Sequence, residues 1–87
     1  MILIVTYDLK QPAASYSALY EALKSKNSWW HYMKGTWLVA TDDSPQDLFD
    51  EIEILLQKGD RILIATLARP YQGWLPKKAW DWIHKHE

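Results

Sequence analysis

Few side chains in this sequence have the chemistry to act on another molecule, and most of them lie in two short stretches. Tyr7 and Asp8 close the run "ILIVTYD". A carboxylate at the end of a strand can hold a hard cation, or it can simply cap the loop that follows. His31 stands inside "SWWHYMKGTWL", where Trp29, Trp30, Tyr32 and Trp37 surround it. A histidine beside a pocket can transfer a proton or donate to a phosphate. The flat rings around it can stack on a base, at roughly 1–3 kcal/mol per base, without any basic stripe. The same rings can equally be core or interface filler, because Trp buries a large area. Lys10, Lys34, Arg61 and Arg69 are the cations that would hold a phosphate if they gathered near the strand ends.

Several chemistries are absent. With no Cys there is neither a disulfide nor a thiolate metal site. His84 and His86 are two apart, so on a helix they point to different sides and share no metal. No glycine-rich phosphate loop, nucleophile elbow or Cys–His pair is present, and three Gly in total leave little room for one. The net charge is −1 and Lys and Arg form no stripe, which argues against a monomer that grips duplex nucleic acid by its phosphates. The opening "MILIVTYDLK" carries no basic leader, and no apolar run is long enough to span a bilayer. A cytoplasmic protein with no membrane partner is the expectation.

The elements that must position these residues follow from the pattern of apolar positions. Residues 2–7 read as a strand buried on both faces, ending at Asp8. Gln11–Ala14 form a loop. From Ser15, a candidate cap, the period changes: Tyr16, Leu19, Tyr20 and Leu23 share one helical face, and Asn27-Ser28 mark the end. Lys34-Gly35 between two aromatic stretches signals a hairpin joining strands 29–33 and 36–41. Alternation along the first of these strands puts Trp29, His31 and Met33 on one side and Trp30 and Tyr32 on the other. Ser44-Pro45 open a second helix, with Asp47 in its first turn, Leu48, Ile52, Leu55 and Leu56 as its apolar face and Gly59 closing it. Residues 61–67 are a further strand, broken by Arg69-Pro70-Tyr71-Gln72-Gly73, and Pro76 starts a short last helix.

The order β-α-β-β-α-β predicts one α+β domain over residues 1–87. It is the ferredoxin-like arrangement, a four-stranded antiparallel sheet with two helices on one face, followed by a short C-terminal helix. Two helices cover one face, yet strands 2–7 and 61–67 are apolar almost throughout. An apolar face left in water is a large exposed patch. Covering several hundred Å2 is worth on the order of 10 kcal/mol before association costs. The segment with Trp74, Trp80, Trp82 and Ile83 can cover part of it and a second copy the rest, so a two-fold homodimer is expected.

Four segments carry a resemblance over nearly the whole chain: "YDLK", "YSALYEALKS", "WWHYMKGTWLV" and "GWLPKKAWDWI". Together they resemble a small bacterial and phage family of SinR-like proteins, a resemblance that implies no particular activity. More distantly, Tyr7-Asp8 and the element order are similar to the CRISPR-associated Cas2 proteins. That likeness implies a ferredoxin-like homodimer in which the aspartate pairs with its mate around a divalent metal, and implies nuclease activity in some members. The basic residues that follow the aspartate in that family are replaced here by "LKQPAASYS", with one Lys.

Three functions are therefore expected in order. The first is a homodimer that binds a nucleotide-type ligand or nucleic acid through Tyr7, Lys10, Trp29, Trp30, His31, Tyr32, Trp37 and Arg69. In a phage setting it would sequester a signalling nucleotide as counter-defence. The second is a Mg2+-dependent phosphodiesterase or nuclease with Asp8 as metal ligand and His31 as a catalytic partner. The third is a structural or regulatory protein-interaction module.

Overall fold

A computed structural model describes all residues, 1–87. Its elements are β1 (Ile2–Asp8), α1 (Ser17–Lys24), β2 (Ser28–Met33), β3 (Thr36–Ala40), α2 (Pro45–Ile52), β4 (Arg61–Leu67) and α3 (Lys77–His86), with 3-10 turns at Ala13–Tyr16 and Glu53–Leu55. The four strands form one sheet in the order β2-β3-β1-β4, with every pairing antiparallel. The fold is α+β and ferredoxin-like.

Register sorts the side chains into two faces, because residues directly opposite one another share a side. On the first face Leu3 pairs with Val39 and Val5 with Trp37. These four pack with Tyr16, Leu19 and Leu23 of the α1 region and Leu48 and Ile52 of α2 into the main core. On the second face Ile2 pairs with Ala40 and Leu67, and Ile4 with Leu38 and Ala65. Ile2, Leu38 and Trp30 form a second core there with Ala79 and Ile83 of α3. The C-terminal helix is thus the lid of the second face. It does not seal the whole of it: Thr6 pairs with Leu63 at the far end of the sheet, and Leu63 is 65% exposed.

Local chemistry explains the element ends and three departures from the sequence reading. The Ser44 side chain accepts from the Asp47 N–H while Asp47 accepts from the Ser44 N–H, a reciprocal cap that starts α2 at Pro45. Ser15 does not cap α1; the chain enters through the 3-10 turn, and no side chain caps that helix. Gly59 does not close α2, which passes into the 3-10 turn after Ile52; Gly59 instead turns the chain into β4 at a φ of +91°. Finally, β2 does not alternate cleanly. Trp30 pairs with Leu38 but Met33 pairs with Thr36, so β2 spends one more residue than β3 between these pairs. This bulge puts Met33 on the same side as Trp30 rather than with Trp29 and His31.

The second face is fastened at its other end. Arg69 Nε and Nη2 donate to the Glu87 carboxylate, the Nη2 bond at 2.5 Å, and the Tyr71 hydroxyl donates to the same group. This clasp holds the end of α3 to the segment that leaves β4. No helix is long and apolar enough to cross a membrane.

Candidate functional site

Where β1 ends, four pieces of chain meet around a cleft of about 390 Å3. Its walls are Tyr7 and Asp8 from β1, Gln11 from the following loop, Tyr20 from α1, and His31 and Lys34 from the hairpin. Each piece has a reason to be there. The Tyr7 N–H donates to the Gly35 carbonyl at 2.9 Å, drawing the hairpin turn onto the end of β1. Only glycine suits that turn: Gly35 has φ +73°, and a Cβ there would lie 2.9 Å from the Tyr7 carbonyl oxygen. The loop wall is tied down by Asp60, whose carboxylate accepts from the Lys10 and Gln57 N–H groups and from the Tyr16 hydroxyl, each at 2.7–2.8 Å. The Tyr16 hydroxyl in turn accepts from the Gln11 N–H at 3.2 Å.

The floor of the cleft is a stack of rings built on Trp37, which is itself in the core. His31 lies flat against Trp37, ring centres 3.9 Å apart and planes 13° off parallel, and lines the cleft. Tyr20 stacks on Trp37 at 6.1 Å, and Tyr7 and Tyr20 are 6.5 Å apart. The Trp37 Nε1–H donates to the Tyr7 hydroxyl oxygen at 2.9 Å, and the Tyr7 hydroxyl in turn is hydrogen-bonded to Tyr20.

Electrostatically the floor is neutral. Burial lowers the His31 pKa, and the Lys24 cation nearby lowers it further, so the imidazole is uncharged at neutral pH and offers one acceptor and one donor. Burial raises the Tyr7 pKa against the opposing pull of the Trp37 hydrogen bond, so Tyr7 stays a phenol. Charge sits at the rim. The Asp8 side chain is 72% exposed, with the Lys10 ammonium 3.6 Å away, and Lys34 lies across the cleft. No three His, Cys, Asp or Glu side chains come together as a metal cage. Within one chain, Asp8 alone does not satisfy a cation that demands near-octahedral oxygen coordination.

The other residues singled out in the sequence go elsewhere. Trp37 is buried and carries the ring stack from beneath rather than offering a free face. Trp29 packs against Trp37 at 5.4 Å and lies under the Lys24 ammonium, 5.4 Å from it. Trp30 and Tyr32 pair at 5.3 Å and line a separate groove beside α3. Lys10 is at the rim through its pairing with Asp8. Arg69 is at the opposite end of the sheet, held by Glu87. Sequence reasoning missed Gln11 as a wall and counted Tyr20 only among the apolar residues of its helix. The helical spacing of Tyr20 with Tyr16 was the one signal available, and it reads as core.

Comparison with known proteins adds no relative. No family model matches the chain, and no curated protein or solved structure matches it.

Proposed function

We propose that the chain is a binding protein for a nucleotide-type ligand, held in the cleft at the end of β1. One observation carries the reading: His31, backed by Trp37, lines the same cleft as Tyr7, Tyr20 and Lys34. A flat ring can stack on the imidazole and phenol rings, and a phosphate can take the Lys34 ammonium. The volume of about 390 Å3 is within the range of small-molecule sites. Sequestration of a signalling nucleotide needs nothing more than this.

The homodimer and the SinR-like and Cas2-like kinship belong to the same proposal. Support for a second copy comes from apolar side chains that α3 leaves in water on the second face, Leu63 and Met33 among them. The test is titration of the protein with a mononucleotide panel, read by Trp fluorescence and calorimetry. Micromolar binding that falls at least ten-fold in His31→Ala supports the reading. Absence of any nucleotide effect, together with capture of a specific protein partner, would favour an interaction module instead.

A second reading, Mg2+-dependent phosphodiester cleavage, rests on the exposure of the Asp8 carboxylate at the cleft mouth. It requires further oxygen ligands from a second copy or from the substrate. Cleavage of RNA, DNA or cyclic dinucleotides that EDTA abolishes and Asp8→Asn removes is its expected signature. No cleavage with Mg2+ present retires it.

A further inference from the structure

Around the edge strand β2, a second aromatic groove lies back to back with the cleft. Its volume is about 390 Å3, and Trp30, Tyr32, Trp82 and Lys78 line it. Tyr32 is 80% exposed, and its ring is 5.3 Å from that of Trp30. The Trp82 Nε1–H donates to the Ser28 hydroxyl at 3.0 Å, fixing α3 to the start of β2 and so fixing the groove's width. His31 of the first cleft and Tyr32 of the groove are consecutive residues, their Cα atoms about 3.8 Å apart. Only the thickness of one strand separates the two sites, and that strand is an edge, so nothing in the sheet lies beyond it. Trp29 bridges the two: its ring touches Trp37 on the first face, and the residue also lines the groove.

Charge follows the same path. Lys34 stands at the cleft, Lys24 over the Trp29 ring at 5.4 Å, and Lys78 at the groove. None of Lys24, Lys34 and Lys78 forms an ion pair within the chain, whereas Asp8 pairs with Lys10 and Asp81 with Lys77. A mononucleotide uses one ring site and one cation. Two ring sites on either side of a narrow edge, with cations at each and between them, suit two bases joined by a phosphodiester.

We propose that the ligand carries two linked bases, one stacked in the His31–Tyr20 cleft and one on Tyr32 in the second groove, with the linking phosphate crossing the β2 edge beside Lys24 and Lys34. This rests on the nucleotide reading above and names its ligand class. Linking makes the second stacking event intramolecular, so the gain over one base exceeds what the second ring alone supplies.

The test compares three probes: adenosine monophosphate, the linear dinucleotide pApA and cyclic di-adenosine monophosphate. They are titrated against the wild type, Tyr32→Ala, Lys78→Ala and His31→Ala. Tyr32 and Lys78 are exposed, so the first two variants keep the fold; their melting temperatures check it. A dinucleotide that binds at least ten-fold more tightly than the mononucleotide supports the proposal, provided that Tyr32→Ala and Lys78→Ala erase that gain and leave mononucleotide affinity unchanged. The linear and cyclic arms then distinguish a nucleic-acid fragment from a cyclic messenger. Equal affinity for one base and two overturns the proposal while the nucleotide reading stands. So does a dinucleotide gain that survives both variants. No binding of any probe removes the reading and this proposal together.

Discussion

On the first face of the sheet a hydrogen-bonded aromatic ring sits in the core itself; on the second the core is an apolar layer and the hydrogen-bonded rings, Tyr71 and Trp82, lie at its margin. Trp37 illustrates the first style. It is buried, yet its Nε1–H is bonded to Tyr7, and His31 and Tyr20 lie against it, so the core reaches the surface as an ordered stack of rings. On the second face, Ile2, Leu38, Trp30, Ala79 and Ile83 form an apolar layer, beside a cavity of about 320 Å3 lined mostly by hydrophobic side chains. Trp74 stands fully exposed at the rim of that cavity. What holds this face shut is at its margin, the Arg69–Glu87–Tyr71 clasp and the Trp82–Ser28 bond. The difference teaches where chemistry can reside. Rings with hydrogen-bonded partners keep a fixed geometry at the surface, whereas a packed apolar layer supplies area and adhesion.

The sharpest way to break this comparison is Trp37→Ala. It removes the base of the ring stack and leaves the Tyr7 hydroxyl without its donor, at an expected cost of about 3–5 kcal/mol in urea unfolding. Nucleotide binding should fall with it even where the variant remains folded. If Ile83→Ala, which empties the second core, costs as much and also removes binding, the two faces are not functionally distinct.

Gly35→Ala comes next. A Cβ at φ +73° and 2.9 Å from the Tyr7 carbonyl oxygen should destabilise the chain by about 1–2 kcal/mol. It should also part the hairpin from β1, weakening binding beyond what the stability loss accounts for. An unchanged affinity would show that the turn does not shape the cleft.

The clasp sharpens the comparison through pH. Bonds from Arg69 and Tyr71 lower the Glu87 pKa from 4.5 to about 2. A depressed folded-state value means that the stabilisation is complete above the ordinary carboxylate range and is lost as pH falls through about 2. On the first side, Asp60 behaves in the same sense. Its burial alone would raise the pKa, but the Lys10 and Gln57 N–H groups and the Tyr16 hydroxyl outweigh it and hold the value down. Melting curves from pH 7 to pH 2 should therefore slope downward below about pH 5. Glu87→Gln should flatten part of that slope and speed amide exchange in α3, while leaving exchange in α1 unchanged. Equal acceleration in both helices would mean that the clasp is not local to the second face.

The smallest effect is expected from Leu63→Ser. At 65% exposure Leu63 adds little to the monomer, so stability should change by within about 0.5 kcal/mol. If the open end of the second face is where two copies meet, the same substitution should shift the dimer–monomer equilibrium in sedimentation. A chain that sediments as a monomer before and after the change removes the homodimer.

Much of this was legible from residues alone. Strand β4 and the Lys34-Gly35 turn follow from local propensity, and so does the start of α2 at Ser44-Pro45, because each depends on neighbours within a few positions. Tyr7, Asp8, His31 and Lys34 were legible as chemistry, and the fold brings them to one cleft. The bulge in β2 was not legible, because an extra residue in one strand is visible only against its partner, and with it went the side taken by Met33.

The sequence by itself determined the strands, the helices, their ferredoxin-like order and the lack of any metal cage built on cysteine, since period, caps and composition are local properties. That the C-terminal segment covers part of the second face was expected from its apolar residues; which part it covers, that Trp37 lies beneath His31 rather than offering a free face, and that Tyr20 and Gln11 join His31 in the cleft came from the tertiary structure. Those outcomes depend on pairings between residues far apart in the chain, and period and composition do not encode which distant surfaces will meet.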